Sequence, residues 1–322
     1  MKQTAVSGEN RSQALGAAVL PGASIRARLL KDKWVYLLLA PGLLYFIIFK
    51  YVPMWGVMLA FQNYSPFLGF WKSEWVGLEH FRVFFTNPEF TMLLRNTLLL
   101  SFYNLLFYFP APIILALLLN EVRLSLYKRT IQTLIYIPHF ISMVIVASLT
   151  YVFLTTEGGL INEMLQKYLG FKINFLGSPE WFRPMIILQT IWKECGFGTI
   201  IFLAALAGVD TEQYEAAIMD GANRWKQLWH ITLPSIRSTI IILLILRMGD
   251  VLDNGFEQIY LLLNPLNREN AEVFDTYVYM LGITQGAFSY STAVGLFKAV
   301  VGVILVLGAN KLAKKFGHEG IY

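Results

Sequence analysis

Long apolar runs separated by short polar stretches are the feature that most constrains this chain. Six such runs follow one another along the 322 residues, and 56% of all residues are hydrophobic. A helix needs about 20 mostly apolar residues to cross the hydrocarbon core of a bilayer, a length that each run reaches. A chain of this composition belongs to the membrane class rather than to the soluble domains. The sequence therefore predicts an all-α membrane protein with six transmembrane helices.

The six predicted spans are bounded by charged residues and prolines. They cover residues 34–52, 96–119, 131–154, 184–208, 236–263 and 292–310. Pro53 is expected to close the first span, and Pro110 and Pro112 are expected to kink the second, because proline donates no amide hydrogen bond. Three polar segments between spans are predicted to be external. These are residues 60–90, 156–183 and 264–285.

The distribution of Lys and Arg predicts the orientation, because short cytoplasmic segments carry an excess of both. One side of the predicted bundle holds both chain ends, the turn 120–130 and the polar segment 210–234. The basic residues on that side are Lys2, Arg11, Arg26, Arg28, Lys31, Lys33, Arg123, Lys128, Arg129, Arg224, Lys226, Arg237, Lys311, Lys314 and Lys315. The opposite loops carry fewer basic residues, mixed with acids. Both termini and the polar segment are therefore predicted to be cytoplasmic.

These boundaries divide the chain into four predicted parts. Residues 1–33 form a cytoplasmic tail, and residues 34–90 hold the first transmembrane helix and an external segment. Residues 91–312 form the core, with five transmembrane helices and the 210–234 loop, and residues 313–322 form a second cytoplasmic tail. The first apolar run is longer than the apolar region of a signal peptide, so a cleavable signal is not predicted.

The polar segment is predicted to form two short amphipathic helices between apolar spans. Asp210 or Thr211 can cap the first helix, and Gly221 can end it in a left-handed conformation. The second helix is predicted from Asn223 toward His230. Small and acidic side chains on the first helix let a partner backbone approach closely beside charge, which is the make-up of a docking surface. These residues are Glu215, Ala216, Ala217, Asp220 and Gly221.

The segment carries acidic, small, glycine and proline positions in a set order: Glu215, Ala216, Ala217, Gly221, Ile231, Leu233 and Pro234. This order resembles the EAA loop of permease subunits in ATP-binding-cassette importers. In that family the loop forms a coupling helix that docks into a cleft on the ATPase subunit. The residues to which the resemblance assigns an ATPase-coupling role are Glu215, Ala216, Ala217, Asp220, Gly221, Leu233 and Pro234. The alternative is an ordinary helix-turn-helix between two spans, since short motifs also match by chance.

Charged residues inside the predicted spans are a second signal. In the fifth span, spacings of three, four and three place four polar residues on one predicted helical face: Arg247, Asp250, Asn254 and Glu257. A charge at the bilayer centre costs about 3 kcal/mol on insertion scales, so such residues line a cavity or pair with one another. Residues of the fourth and sixth spans are predicted at a similar depth. The predicted polar layer consists of Lys193, Glu194, Arg247, Asp250, Glu257 and Lys298.

Aromatic residues make up 15% of the chain, and several lie on or near the outer halves of the predicted spans. They are Trp192, Phe197, Phe256, Tyr260, Tyr277, Tyr279 and Phe288. Sugars present apolar C–H faces and hydroxyls, so stacked aromatics near carboxylates and amides suit a carbohydrate. The polar layer, Asn254 and Tyr260 are therefore predicted to line a substrate path. The alternative is that the aromatics form packing contacts or lipid-facing belts and that the charges only hold helices together.

Much of the remaining chain is similar to the sugar-permease branch of the same family, and within it to LplB-type permeases for oligosaccharides and polysaccharide fragments. The similarity is clearest at residues 52–66, 254–265, 272–279 and 289–302. It implies a type I importer subunit embedded in the lipid of a bacterial cytoplasmic membrane. It also implies a second homologous permease, two ATPase subunits and an extracytoplasmic solute-binding protein as partners. Spacing and composition alone imply none of these partners.

Other chemistry finds no support in the sequence. The chain contains no Gly-Lys dipeptide and therefore no Walker A loop. It is predicted not to be an enzyme and to hold no cofactor. ATP and Mg²⁺ are expected to be bound by the partner ATPase. The four histidines are not clustered with acids at metal-ligand spacing, so no metal site is predicted. His139 is interpreted as a hydrogen-bonded structural residue. The basic residues lie in loops, as topology requires, and nucleic acid is not a predicted partner.

An ion-coupled or proton-coupled secondary transporter is the alternative from another class, with the buried carboxylates as the ion site. The short basic loops around the docking motif and the lack of an evident inverted repeat argue against it. An intramembrane enzyme would need a nucleophile and a base placed together, and the sequence offers no such pair.

Overall fold

The computed structural model describes residues 33–315 and residue 317. Most of the predicted N-terminal tail and the end of the predicted C-terminal tail therefore lie outside the described residues. The chain divides into two compact units, one ending at Gly56 and one beginning at Val57. Within residues 33–315 the only strands are β1 (Gln62–Asn63) and β2 (Glu74–Trp75), which pair antiparallel. The all-α prediction is confirmed apart from this short ribbon.

The α-helices are numbered in chain order. They are α1 Lys33–Phe46, α2 Gly69–Lys72, α3 Glu79–Thr86, α4 Phe90–Tyr103, α5 Pro110–Asn120, α6 Ser125–Tyr136, α7 Met143–Leu154, α8 Leu160–Leu169, α9 Pro179–Ala207, α10 Thr211–Met219, α11 Arg224–Gln227, α12 Leu233–Gly249, α13 Phe256–Leu262, α14 Arg268–Ala271, α15 Phe274–Tyr279 and α16 Phe288–Lys315. Five continuous helical segments in the described part of the chain are long and apolar enough to cross a membrane, and a bent pair would make a sixth.

The first span is longer than the sequence predicts. Helical structure continues from α1 through a π turn at Ile47–Tyr51 and a 3-10 segment at Val52–Phe61. Pro53 therefore does not close the helix, because it lies in the first turn of the 3-10 segment, where an amide hydrogen bond is not required. None of the residues of α1 is buried within the chain.

The third span is broken, and the prediction of one helix over 131–154 is wrong in this respect. Its two parts, Ser125–Phe140 and Met143–Leu154, meet at an angle of 97°. Pro138 lies in the 3-10 turn at the break, and Ser142 begins the second part by accepting a hydrogen bond from the Ile145 amide at 3.4 Å. Local cap and proline chemistry thus ends one helix and starts the next.

The fourth span, α9, is one unbroken helix of 29 residues and passes very close to the third. A Cβ atom built on Gly196 would lie 1.9 Å from the backbone oxygen of Ile135. Only glycine permits this approach, because any side chain would overlap the Ile135 carbonyl. Helix α9 also packs against α5 and α12 through a cluster formed by Ala116, Phe202, Leu206 and Ile236.

The fifth span differs from the prediction at both ends. At its start α11 continues through a π turn at Leu228–Thr232 into α12, which has Pro234 in its first turn. At its other end α12 stops at Gly249, and Gly255 takes a left-handed conformation at φ +77° before α13. The helix predicted over 236–263 is therefore interrupted, because the turn-forming residues Asp253, Asn254 and Gly255 follow one another.

Side-chain hydrogen bonds hold this interruption against α4. Asn254 is buried, and its amide donates to the carbonyl of Thr97 at 3.2 Å. The hydroxyl of Ser101 donates to the carbonyl of Val251. The backbone groups set free by the break are thus satisfied inside the protein, as the absence of water in a bilayer requires.

Candidate functional site

The polar segment forms one separate short helix, α10, as predicted, whereas its second helix, α11, continues into the fifth span. Helix α10 begins after Asp210, whose side chain accepts a hydrogen bond from the Glu212 amide at 2.9 Å. Gly221, at φ +75°, follows the end of this helix, and the Ala222 amide donates to the Ala217 carbonyl at 2.8 Å. These bonds satisfy backbone groups at both ends of α10, so a nine-residue helix can stand apart from the spans.

Helix α10 makes few contacts with the rest of the chain. None of its residues is buried. Its main side-chain hydrogen bond to the rest of the chain joins the hydroxyls of Tyr214 and Thr232, which lie 2.9 Å apart. Ala217 is half-buried. The exposed residues at and near its C-terminal end are Glu215, Ala216, Ile218, Met219, Asp220 and Gly221. The predicted docking residues thus form an open surface that a partner can cover.

The segment connects directly to two spans. Helix α9 ends at Ala207, and α10 begins four positions later at Thr211. On the other side, Leu233 and Pro234 lie in the first turn of α12, which is continuous with α11. A displacement of α10 and α11 can therefore pass to both spans without a long flexible loop.

A charged cluster lies halfway along α9. The Lys193 ammonium donates to the Glu194 carboxylate at 3.0 Å and to the backbone oxygen of His139 at 2.9 Å. Nδ1 of His139 lies 2.7 Å from the other Glu194 oxygen, and its ring stacks on Phe197 with centroids 4.0 Å apart. Lys193 thereby binds a carbonyl at the break of the third span, where helical hydrogen bonding is lost.

Arg247 and Asn254 do not share a helical face, contrary to the prediction, because α12 ends between them. The Arg247 guanidinium lies over the ring of Tyr108 at 5.8 Å, a cation–π arrangement. Asn254 instead points into the core beside Ser101. The helical face predicted over residues 247–257 is therefore interrupted between Gly249 and Phe256.

A second charged cluster joins three elements. The Lys298 ammonium of α16 bonds to Asp253, in the turn after α12, at 2.6 Å and also to Asp275 of α15. The Lys298 side chain is only 11% exposed, so the two carboxylates make its burial possible. In the described part of the chain, Asp250 and Glu257 have no ion-pair partner, and both are exposed.

A groove of about 410 Å³ opens beside this cluster. It is lined by Phe256, Asp275, Val278, Tyr279, Gly282, Ile283, Phe288, Ser291 and Thr292. A smaller cavity of about 200 Å³ shares Asp275 and Val278 with it and contains Lys298. Next to the groove, the rings of Phe256, Tyr260 and Tyr279 contact one another with centroids 4.9 to 5.3 Å apart. Aromatic faces and the Asp275 carboxylate thus lie together in one groove.

The structure adds three residues that sequence reasoning did not assign to a site. Asp253 and Asp275 neutralise Lys298, and His139 pairs with Glu194. A lysine in an apolar span signals that acidic partners must exist, but not which acids. The sequence predicts a hydrogen bond for His139 but not its partner, Glu194, which is 55 residues away in sequence.

The chain belongs to a family of membrane transport proteins. The family model described as "binding-protein-dependent transport system inner membrane component" matches residues 108–318. The protein is therefore a multi-pass inner membrane permease of a binding-protein-dependent ABC importer, and the relatives with stated roles are transport permeases rather than enzymes.

Particular relatives lie within this family. The chain is 66% identical over 301 residues to Protein LplB of Bacillus subtilis (strain 168), covering 94% of this chain and 95% of that protein. It is 63% identical over 295 residues to the polygalacturonan/rhamnogalacturonan transport system permease protein YteP of the same organism, covering 92% of each. The structure also superposes on a chain of the bacterial alginate ABC transporter, which was crystallised in complex with the alginate pentasaccharide-bound periplasmic protein. The TM-score is 0.85 and the sequence identity 42%, over 92% of this chain and 99% of that chain.

Proposed function

We propose that this permease carries oligosaccharides or polysaccharide fragments into the cell. Two similar proteins are named for polysaccharide import, one for polygalacturonan and rhamnogalacturonan and one for alginate. The observation that carries the proposal is the groove beside Phe256, Tyr260 and Tyr279, where aromatic faces lie near the Asp275 carboxylate. The ion-coupled alternative receives no support from these comparisons.

The substrate path runs along the polar groups of the outer and central parts of the spans. Stacked rings bind the C–H faces of a sugar, while exposed carboxylates accept hydrogen bonds from its hydroxyls. The assigned residues are Lys193, Glu194, Arg247, Asp250, Glu257, Tyr260 and Lys298, whereas Asn254, also predicted on this path, is buried against α4 and holds the break in the fifth span. Charged groups this deep in a membrane protein are costly unless paired or hydrated, which supports a path or a partner surface here.

The coupling role belongs to the exposed surface of α10 and the start of α12. Its residues are Glu215, Ala216, Ala217, Asp220, Gly221, Leu233 and Pro234. Two ATPase subunits, which bind ATP and Mg²⁺, receive this surface and that of a second homologous permease. Both termini are cytoplasmic, as the excess of Lys and Arg on that side favours. An extracytoplasmic solute-binding protein supplies the sugar.

Transport then follows from the connection of α10 to two spans. ATP binding closes the ATPase dimer and moves α10, which displaces α9 and α12 and turns the cavity from inward-facing to outward-facing. The binding protein releases its sugar into this cavity, and ATP hydrolysis restores the inward-facing state. Binding energy at the coupling surface thus biases an equilibrium between two arrangements of the spans.

Substitution of Glu215 tests this coupling. Glu215→Lys places a positive charge on the exposed surface of α10 and should lower ATPase stimulation by the loaded binding protein about 10-fold or more, as loss of a buried interface charge does. Gln213→Lys, on the opposite face of the same helix, is the control and should keep most of the stimulation. Both variants should insert and assemble normally, because neither side chain is buried. Normal stimulation of the Glu215→Lys complex would refute the coupling role.

A further inference from the structure

A cleft of about 700 Å³ lies between the second and fourth spans. It is called the Arg183 cleft here and is lined chiefly by Phe107, Arg183, Ile187, Leu188 and Ile191. Phe107 lies in the π turn at Asn104–Tyr108 that follows α4, and the other four residues lie in the first half of α9. The cleft is therefore mostly apolar, with one guanidinium near the start of α9.

The Arg183 guanidinium is only partly satisfied by the protein. A guanidinium has five N–H donors. Nη2 of Arg183 donates to the Oδ1 atoms of Asn96 at 2.8 Å and Asn270 at 2.9 Å, and both of these acceptors are neutral. Within residues 33–315, Nε is buried without a hydrogen-bond partner, and Nη1, which is not buried, has none either. No carboxylate of these residues forms an ion pair with Arg183. A half-buried cation without an anionic partner is costly, so the cleft favours an anion.

A second guanidinium adds to the positive charge at this place. Nη2 of Arg95 lies 3.4 Å from Oδ1 of Asn270, so both arginines share one neutral acceptor. The ion-pair partner of Arg95, Glu269, is 3.8 Å away and 73% exposed. Glu180, one helical turn nearer the start of α9, is exposed and forms no ion pair in the described chain. Exposed acids interact weakly with nearby cations because water screens them. The two guanidiniums can therefore still bind an external anion.

The depth of the cleft indicates which anion it takes. Helix α9 has 29 residues and is thus about 43 Å long, whereas the hydrocarbon core of a bilayer is about 30 Å thick. Its first turns therefore lie at the level of the lipid headgroups. Arg183 lies about 6 Å along the helix from Pro179, and Ile191 lies about 12 Å further on. The cations thus lie where lipid phosphates lie, and the apolar wall lies where acyl chains lie.

We propose that the Arg183 cleft binds one anionic phospholipid, with its phosphate on the guanidiniums of Arg183 and Arg95 and an acyl chain along Phe107, Leu188 and Ile191. A charge-assisted hydrogen bond from Nη1 of Arg183 to the phosphate supplies an acceptor that the protein does not provide. Basic pockets between transmembrane helices bind anionic headgroups in this way. An acidic sugar fits less well, because its hydroxyls need several polar partners and the wall beyond Arg183 offers only the Tyr103 hydroxyl. The lipid site does not depend on the proposed substrate.

Native mass spectrometry of the complete importer in detergent tests the site. The complex is titrated with dioleoylphosphatidylglycerol and, separately, with dioleoylphosphatidylcholine, which has the same acyl chains but no net charge. The unchanged complex should bind one phosphatidylglycerol about 10-fold more tightly than phosphatidylcholine, and Arg183→Gln should abolish this preference. Arg82→Gln is the matched control, because Arg82 is an exposed arginine on α3, and it should keep the preference.

Arg183→Lys separates lipid binding from the structural bonds of Arg183. The lysine keeps the positive charge, so the preference for phosphatidylglycerol should stay within about threefold of the original value. If Arg183 served only to hold Asn96 and Asn270, Arg183→Lys and Arg183→Gln would be impaired alike, and that result would overturn the proposal. Equal binding of both lipids by the unchanged complex would also overturn it. Displacement of phosphatidylglycerol by digalacturonate would assign the cleft to an acidic sugar and would refute the lipid site.

Discussion

The two ends of the bundle, which we propose to be the cytoplasmic and the outer end, are built differently. At the cytoplasmic end, α9 and α12 are long helices that lead almost directly into α10 and α11. At the outer end, the fifth span breaks after Gly249, and the short helices α13, α14 and α15 follow before α16 begins. A continuous helix transmits displacement, whereas a set of short helices can shape a groove. The two ends therefore suit coupling and substrate binding respectively.

Different forces hold the two ends. At the outer end, Asn96 donates to the carbonyls of Glu269 and Glu272 at 2.9 Å each and accepts from Arg183 at 2.8 Å. Asn267 donates to two further carbonyls there. Apolar clusters pack at both ends, one including α4, α9 and α13 at the outer end and one among α5, α9 and α12 at the cytoplasmic end, so the asparagine bonds are what distinguishes the outer end. Breaks in a membrane helix free backbone groups, and asparagine side chains satisfy them.

Two asparagines give the largest test of this comparison. Asn96→Ala at the outer end removes three hydrogen bonds from a fully buried position and should lower the free energy of unfolding by about 3 kcal/mol. Asn223→Ala at the cytoplasmic end removes only the cap of α11 and should cost about 1 kcal/mol. Thermal unfolding of the detergent-purified complex measures both losses. Equal losses would mean that polar bonds do not distinguish the two ends.

The sequence predicts the fold best where the information is local. The long, mostly apolar run predicts α9. Asp210 and Gly221 predict the two ends of α10, because caps and left-handed glycines act within a few residues. The break after Gly249 was missed because the spacing of Arg247 and Glu257 fits a helix equally well. The bonds that stabilise the break come from α4, roughly 150 residues earlier in the chain. Partners so distant in the chain cannot be predicted from the local sequence pattern.

The same distinction applies to the candidate sites. The helix of the proposed coupling segment could be predicted because its residues are contiguous, so their order alone carries the pattern. The partners of Lys298 could not, since Asp253 and Asp275 lie 45 and 23 residues away on separate elements. Only the fold brings these charges together. The position of Lys298 in an apolar span indicates that it needs acidic partners, and only the tertiary structure identifies them.

A smaller effect is expected from neutralising acids on the two spans. Glu194→Gln on continuous α9 leaves the Lys193 ammonium, which is 11% exposed, without its carboxylate. The change should lower the stability by about 2 kcal/mol. This is less than the loss from breaking a fully buried ion pair, because Glu194 is 30% exposed. Asp250→Asn, in the turn after α12, removes an exposed charge and should change stability by less than about 0.5 kcal/mol. Thermal unfolding again measures both. A larger loss for Asp250→Asn would show that the break, and not α9, holds the critical charge.

The smallest effect is a dependence on pH that belongs to the outer end alone. Burial raises the pKa of Glu272 above its ordinary value, although Arg268, 2.6 Å away, acts in the opposite direction. The folded protein thus disfavours the ionised form. The stability linked to Glu272 is fully present below its unfolded pKa of about 4.3 and is lost as pH rises through the raised folded value. Glu272→Gln cannot ionise and should reduce the fall in unfolding temperature as the pH rises above about 4.3. Glu121→Gln, which changes an exposed acid at the cytoplasmic end, should leave that fall in unfolding temperature unchanged. If both variants reduced the fall equally, the pH dependence could not be assigned to the buried Glu272 carboxylate.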